Sequence, residues 1–196
     1  MKTQFIYLVA LAGMLLMSSS VWAQKPQKIV NFDTHTTSAG QRFGTYSDNS
    51  MKGTSTIVMK QIDVTGGHGI EITGAITNDY PYGFAGLHLP LVVGETDVMA
   101  VGQFTGLRFH ARGDGQNFYL VLVTKGIKDY DYLVYSFKPG AEWNEYIVPF
   151  SKFKQLGFGA PAKWTGKDLQ AVRFQIQTFG PPIANYKLDV DSIELY

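Results

Sequence analysis

Short runs of alternating apolar and polar residues, from residue 24 to the end, constrain the fold of this chain most strongly. Successive side chains of a strand point to opposite sides, so alternation with a period of two is typical of strands that bury one face. No long run shows the apolar spacing of an amphipathic helix. Clusters of Gly, Asp, Asn and Pro separate the runs and predict turns. The pattern predicts ten strands, at residues 28–32, 54–62, 69–75, 84–91, 105–111, 117–124, 132–137, 145–148, 171–177 and 186–195.

Ten strands without a linker or repeat between them predict one all-β domain over residues 24–196. The strand number favours an antiparallel β-sandwich of the jelly-roll type. A short helix is allowed at residues 151–156 or 166–169, but neither segment is long enough to change the fold class.

The first 23 residues have the layout of a secretory signal peptide. Lys2 precedes an apolar run over residues 5–17, and Val21 and Ala23 have side chains favoured before a cleavage site. The apolar run is shorter than a membrane-spanning helix, which needs about 20 residues. We therefore expect cleavage after Ala23 and a periplasmic or secreted protein. No Cys follows Ala23, so we expect no lipid anchor.

The charge of the chain is balanced, with 17 Lys and Arg residues against 16 Asp and Glu residues. Loss of Lys2 with the signal peptide makes the two numbers equal. Without a basic excess there is no strong attraction for nucleic acid or an anionic membrane, and we expect neither as a partner. Because the chain has no Cys, burial and hydrogen bonding must stabilise it. The aromatic content of 14% supplies buried area and leaves Tyr and Trp for ligand surfaces.

Several predicted strands carry Arg, His, Gln and Tyr opposite their apolar residues. In one of them, Leu107 and Phe109 alternate with Arg108 and His110. If the strands belong to one sheet, these side chains cover its outer face with planar hydrogen-bonding groups and aromatic rings, which suit a sugar. The alternative is a polar face packed beneath loops. The residues predicted to bind a ligand on this face are His88, Arg108, His110, Tyr119, Gln175 and Gln177.

Two loops present tyrosines where burial does not explain them. Tyr80 and Tyr82 lie in the sequence NDYPYGF, and Tyr130 and Tyr132 lie in KDYDYL. Loops that run over the surface often carry binding residues, so we predict that all four tyrosines stack on the ligand. Trp143 precedes an alternating run and is predicted instead to plug the edge of the sandwich.

The segment RFHARGDGQNFYL, residues 108–120, contains an Asp-Gly pair between two alternating runs. This arrangement predicts a β-hairpin, and Gly113 permits unusual backbone dihedrals at the turn. The Arg-Gly-Asp triplet consists of residues common in turns, and we interpret it as a product of the turn rather than an adhesion motif.

Recognisable catalytic motifs are absent from the sequence. There is no nucleophile elbow and no His-Glu-x-x-His zinc pair, and no motif places two carboxylates across a sugar. The sequence GDGQNF leads into a strand rather than a helix, which excludes a dinucleotide fingerprint. We therefore expect no enzymatic activity.

Calcium is the metal that best fits the acidic residues of the chain. Asp189 and Asp191 alternate with Val190, so both point to one side of the last predicted strand. With oxygens of Asp33 or Asp48 they form a candidate structural calcium site, since calcium prefers several oxygen ligands. The alternative is that these acids are simply solvated at strand ends. No other cofactor is expected.

Four segments resemble, in order, the complex I intermediate-associated protein 30 family. They are YSDNSMKGTS (46–55), FTGLRFHARGDGQNFYLVL (104–122), FKPGAEWNEYIVPFSKF (137–153) and YKLDVDSIELY (186–196). The resemblance implies a galactose-binding-like jelly roll, similar to certain carbohydrate-binding modules and without catalytic machinery of its own. The chain departs from the family at residues 52–55, where Lys-Gly-Thr-Ser replaces the usual Gly-Gly before the Ser.

The residues and the resemblance together predict an exported, non-catalytic domain that binds a polysaccharide or oligosaccharide. A protein-interaction or assembly-chaperone domain is the alternative that the family implies, and a structural role in the cell envelope is a third. A sugar site should be concave with parallel aromatic faces, whereas a protein site should be a flatter apolar patch.

Overall fold

The computed structural model describes residues 25–196, so the predicted signal peptide lies outside the described residues. The described chain contains eleven strands and two single turns of 3-10 helix. The strands are β1 Gln27–Val30, β2 Gly44–Ser47, β3 Thr56–Val64, β4 Gly67–Ile76, β5 Gly83–Pro90, β6 Gly106–Gly113, β7 Phe118–Thr124, β8 Leu133–Phe137, β9 Asn144–Pro149, β10 Leu169–Thr178 and β11 Ile183–Leu195. The two helical turns cover Asp48–Met51 and Phe150–Lys152.

The strands form two antiparallel sheets that pack face to face, which confirms the predicted all-β sandwich. The six-stranded sheet has the order β3-β4-β11-β6-β9, and β1 pairs with the end of β11. The five-stranded sheet has the order β2-β5-β10-β7-β8. No helix within residues 25–196 is both long and apolar enough to cross a membrane.

The apolar residues of the alternating runs are buried on the inner face of each sheet. On β10, Val172, Phe174 and Ile176 are fully buried, while Arg173 and Gln175 between them face outward. This is the arrangement that a period of two predicts. The strand β10 thus contributes side chains both to the core and to the outer surface of the five-stranded sheet.

A cluster of aromatic rings fills the space between the sheets. Phe109 of β6 lies at the centre of the cluster, with ring centroids of Tyr146 and Phe174 at 5.1 Å and that of Phe137 at 5.4 Å. Rings from both sheets therefore share one packed core. Phe109 meets Phe137 and Phe174 edge to face and stacks on Tyr146, and such contacts add to the stabilisation from burial.

The hairpin predicted at the Asp-Gly pair is wrong. β6 pairs with β9 and β11, whereas β7 pairs with β8 and β10, so the turn carries the chain from one sheet to the other. The Asp114 carboxylate accepts hydrogen bonds from the Gln116 amide at 3.1 Å and the Lys187 amide of β11 at 2.9 Å. This second bond fixes the turn to the six-stranded sheet before the chain crosses.

Two smaller expectations also differ from the structure. The strand β2 was not predicted, because its four residues, GTYS, are too short to show an alternating pattern. Helix at residues 151–156 is limited to the turn Phe150–Lys152, and β10 already begins within residues 166–169. Neither difference changes the architecture.

Replacing Phe109 by Ala should destabilise the protein by about 3–5 kcal/mol, because the substitution leaves a cavity among three aromatic rings. Urea unfolding followed by tryptophan fluorescence measures the change. Val58, which is exposed on the edge strand β3, provides the control: Val58→Ala should change the free energy of unfolding by no more than about 0.5 kcal/mol. Equal losses in the two variants would contradict the position of Phe109 at the centre of the core.

Candidate functional site

A cleft of about 590 Å³ opens on the outer face of the five-stranded sheet. Outward side chains of β10, the middle strand, form its floor: Arg173, Gln175 and Gln177. Loops and the turn Asp48–Met51 supply its walls. The floor of the cleft thus combines these polar side chains with the apolar Val121 and Val134 of β7 and β8, and its walls are built largely outside the strands.

A series of side-chain hydrogen bonds joins β2 to β10 across the intervening strand β5 and holds the floor. The Tyr46 hydroxyl of β2 donates to Gln175 Oε1 at 2.6 Å, and Gln175 Nε2 donates to Gln177 Oε1. Gly86 of β5 makes this reach possible, because a Cβ there would lie 2.7 Å from the Tyr46 hydroxyl oxygen. The Tyr46 ring therefore lies across β5 and touches β10.

Arg173 is fixed between two aromatic rings. Its guanidinium carbon lies 4.7 Å from the ring centroid of Tyr46 and 5.6 Å from that of Tyr132. Its Nε donates a hydrogen bond to His88 Nδ1 at 3.0 Å. These contacts hold the cation in one orientation, as cation–π pairs beside a polar partner do.

Burial and the Arg173 charge keep His88 neutral. Burial, with the Arg173 charge as the smaller cause, lowers the pKa of His88 to about 4. Burial also raises the pKa of both Tyr46 and Tyr132, so their hydroxyls remain protonated donors at neutral pH. The floor therefore carries one fixed positive charge, on Arg173.

Exposed rings cluster on one wall of the cleft. Tyr82 meets Tyr80 edge to face at 6.0 Å and Phe179 at 5.7 Å between ring centroids. Tyr82 is 56% exposed and Phe179 is 58% exposed, although both are large and apolar in part. Such exposure in a concave site is typical of a ligand surface rather than of a folding requirement.

A second exposed cluster comes from residues 130–158. Tyr130 is 66% exposed and meets Tyr132 edge to face at 6.3 Å. Leu156 and Phe158 line the same cleft, and Phe158 is 61% exposed. Within each cluster the rings contact one another edge to face. The parallel stacking expected of a sugar site is therefore absent among these three pairs.

A buried carboxylate, Asp131, holds the segment that carries Leu156 and Phe158. It accepts hydrogen bonds from the amides of Leu156 at 2.9 Å, Gly157 at 3.0 Å and Gly159 at 3.0 Å. A Cβ at Gly159 would lie 2.6 Å from that of Asp131, so only glycine fits there.

Asp129 supports the same segment from the outside. Its carboxylate accepts from the Ala160 amide at 2.6 Å, and this bond is the main cause that lowers the pKa of Asp129. Both acids in this wall are therefore engaged by the backbone.

Asp48 holds the opposite wall in the same way. Its buried carboxylate accepts from the Ser55 amide at 3.1 Å, the Ser55 hydroxyl at 2.6 Å and the Phe84 amide at 3.2 Å. Gly53 packs directly against this carboxylate, in a space that would not admit a Cβ. The altered residues 52–55 therefore keep the one glycine that this packing needs.

The structure brings six of the ten predicted ligand residues into the cleft and places four elsewhere. Those that line the cleft are Tyr80, Tyr82, Tyr130, Tyr132, Gln175 and Gln177. His88 and Tyr119 share the outer face of the five-stranded sheet but do not line the cleft. Arg108 and His110 lie on β6, in the six-stranded sheet.

The expectation that Arg108 and His110 share a face with Gln175 is wrong. Because the chain changes sheets after β6, the outer side of β6 faces away from the cleft. Arg108 there contacts Glu194 at 2.7 Å and Glu145 at 3.6 Å. Its charge is thus neutralised on the opposite surface of the sandwich.

The acids predicted to bind calcium also lie on the six-stranded sheet. Asp189 is fully buried and contacts Arg112 at 2.7 Å and Lys187 at 3.7 Å, so cationic side chains already surround it. Asp33 contacts His68, and Asp48 holds the loop described above. Within residues 25–196 no three His, Asp, Glu or Cys side chains are grouped as metal ligands. Trp143 lies under the Arg112 guanidinium, 5.0 Å from it, away from the cleft.

Sequence reasoning missed several residues of the cleft. Arg173 has the same parity as Gln175, so the pattern could have identified it as a floor residue. Tyr46 lies in the unpredicted strand β2, and Leu156, Phe158 and Phe179 lie in loops where periodicity carries no signal.

Comparison with known proteins agrees with the fold. The family model described as Complex I intermediate-associated protein 30 (CIA30) matches residues 30–188. A family 11 carbohydrate-binding module from Clostridium thermocellum, solved in complex with a β-1,3-1,4-mixed-linked tetrasaccharide, is similar with a TM-score of 0.62 at 20% identity; the match covers 87% of this chain and 94% of the module. A family 30 carbohydrate-binding module has a TM-score of 0.58 at 11% identity, covering 87% and 98% of the two chains. No curated protein sequence matches significantly.

Replacing Asp131 by Asn should loosen the wall that carries Leu156 and Phe158. An amide group at this position would turn an N–H toward backbone N–H groups that now donate to the carboxylate. We expect a loss of about 1–3 kcal/mol in the free energy of unfolding and faster hydrogen exchange at residues 156–159. Asp63→Asn, at a 99% exposed side chain, is the control. Unchanged exchange at these amides would contradict the role of Asp131.

Stability should fall as the pH drops from 6.5 towards 4, in part because of His88. Its pKa lies near 4 in the folded protein and near 6.5 in the unfolded chain, so the unfolded state takes up the proton first. The contribution of neutral His88 to the free energy of unfolding is complete above pH 6.5 and is lost as the pH falls from 6.5 to 4. Melting temperatures of the wild type and of His88→Gln should therefore converge as the pH falls. Parallel curves would show that His88 titrates normally.

Proposed function

The chain belongs to the complex I intermediate-associated protein 30 family, and we propose that it binds a polysaccharide, without catalysis, in the cleft of the five-stranded sheet. The observation that carries the proposal is the cleft itself, in which exposed rings surround a floor of fixed hydrogen-bonding groups. Aromatic rings contact the apolar faces of sugars, and amide and guanidinium groups bond to the oxygens at their edges.

The size of the cleft also favours this function. Its volume of about 590 Å³ lies within the range of about 300–1,000 Å³ that is typical of small-ligand sites. An open cleft with exposed rings beside the floor suits a segment within a longer chain better than an enclosed metabolite.

The tetrasaccharide bound by the similar family 11 module identifies a first set of probes, the mixed-linkage β-glucans. The expected signal peptide supports the same proposal, since an exported domain meets extracellular polysaccharides. A periplasmic or secreted location therefore forms part of the proposed function.

A protein partner is the second candidate, and the geometry of the rings favours it in one respect. The exposed rings of Tyr82, Phe179 and Tyr130 meet their neighbours edge to face, and Leu156 and Phe158 add apolar surface beside them. Exposed apolar surface of this kind also suits a protein interface. This candidate corresponds to the interaction or assembly-chaperone function that the family name implies.

Replacing Tyr82 or Tyr130 by Ala should weaken polysaccharide binding about tenfold, because each substitution removes one exposed aromatic contact. Affinity gel electrophoresis with mixed-linkage β-glucan, or a glycan array, measures the change. Ile147→Ala, at an exposed apolar residue on the opposite sheet, is the matched control and should bind as the wild type does.

The same variants separate the two candidates. If the protein binds none of the glycans on a broad array, the polysaccharide proposal is wrong. If it then captures a protein through a contact that Tyr82→Ala abolishes, the protein-partner function replaces it.

A further inference from the structure

We propose that the ligand carries carboxylate groups, so that the cleft selects a polysaccharide containing uronic acids, with Arg173 and Gln177 as the groups that recognise the carboxylate. This inference rests on the proposed polysaccharide function and adds the chemical class of the sugar. Three features of the floor lead to it: an unneutralised cation, acidic neighbours that are already engaged, and a series of hydrogen bonds that ends in a free donor.

Arg173 has no acidic partner within the described residues. Arg108 and Arg112, on the opposite sheet, each contact a carboxylate at 2.7 Å. Arg173 Nε donates to His88 Nδ1, and the guanidinium also interacts with the Tyr46 side chain. Arg173 thus places on the floor of the cleft a positive charge that no ion pair among residues 25–196 neutralises.

The acids in the wall of the cleft, Asp129 and Asp131, form no ion pair with Arg173 and accept hydrogen bonds from the backbone instead. The Asp131 carboxylate accepts hydrogen bonds from the amides of Leu156, Gly157 and Gly159. The Asp129 carboxylate accepts a hydrogen bond from the Ala160 amide of the same segment. A charge-assisted bond to Arg173 is therefore left for the ligand to make, and a planar carboxylate matches the planar guanidinium.

The hydrogen bonds of the floor run in one direction. Tyr46 donates to Gln175 Oε1 and Gln175 Nε2 donates to Gln177 Oε1, which leaves Gln177 Nε2 buried without a partner. His88 Nδ1, an acceptor, is already used by Arg173. Most acceptors of the floor are thus engaged while donors remain free.

A free donor in a buried position calls for an acceptor from outside. A sugar hydroxyl donates as well as accepts, whereas an ionised carboxylate only accepts and offers several lone pairs. A carboxylate would satisfy Gln177 Nε2 and the Nη groups of Arg173 without bringing a new unpaired donor into the floor.

The test compares one polymer with and without its charge. Polygalacturonate and the same polymer after full methyl esterification differ only in the carboxylate, and alginate supplies a second polyuronate. Mixed-linkage β-glucan is the neutral probe, and dextran sulfate is the probe for charge without planarity. Isothermal titration with each, at low and at high salt, gives the affinities.

We expect polygalacturonate or alginate to bind at least about tenfold more tightly than the esterified polymer, with an affinity that falls as salt rises. Arg173→Lys keeps the charge but loses the planar donor pair, and should reduce the ratio between the charged and the esterified polymer. Gln177→Glu keeps the acceptor for Gln175 and adds a negative charge, and should abolish polyuronate binding. Arg112→Lys, an arginine stacked on Trp143 on the opposite sheet, should leave the ratio unchanged.

Several results would overturn the inference. If β-glucan or the esterified polymer binds as tightly as the polyuronates, the site is selective for neutral sugars, and the proposed function survives without the carboxylate. If dextran sulfate binds equally well, charge alone explains binding. If Arg173→Lys lowers all affinities equally, with an unchanged melting temperature, Arg173 only shapes the cleft. If no polysaccharide binds at all, the proposed function itself fails.

Discussion

Buried carboxylates that accept backbone N–H groups hold parts of two walls of the cleft. Asp48 holds one wall through Ser55 and Phe84, and Asp131 holds the other through three amides of residues 156–159. Neither wall is built mainly from regular strands, so the segment that carries Leu156 and Phe158 depends on the bonds to Asp131 for its position. A buried carboxylate that accepts several amide N–H groups is strongly stabilised, whereas its removal leaves these donors without their partner. The walls of the cleft are therefore held in place by bonds within the protein, and a ligand of the proposed kind would need to order little of them.

The floor of the cleft depends on a strand that also builds the core. β10 contributes Phe174 to the aromatic core and Arg173 and Gln175 to the cleft, so the packing of the core fixes the spacing of these two polar side chains. Gly86 adds a local condition, because it allows Tyr46 to cross its neighbouring strand and bond to Gln175. Small side chains beneath large rings are thus as important to this surface as the rings themselves.

Much of the fold could be predicted from the sequence, because alternation reports burial one strand at a time. The same pattern says nothing about which sheet a strand joins, and for this reason Arg108 was placed beside Gln175 although the two lie on opposite surfaces. The tyrosines of the two loops were found because exposed rings beside Pro or Asp have no role in a core. Phe158 and Phe179 were missed, since their positions depend on bonds to Asp131 and on the end of β10, which are set by contacts distant in sequence. Arg173 is predictable as a floor residue, because it lies two positions before Gln175 and therefore on the same face of the strand.

The pairing of β1 with the end of β11 has a consequence for how the domain is mounted. Gln27 lies opposite Leu195, so the beginning and the end of the described chain leave from neighbouring positions in the six-stranded sheet. The cleft opens on the outer face of the other sheet. Tethering through either terminus, to a support, an enzyme or a cell surface, therefore leaves the cleft facing the surrounding solution. Attachment at Gln27 or Leu195 and the candidate site would then lie on opposite sheets of the molecule.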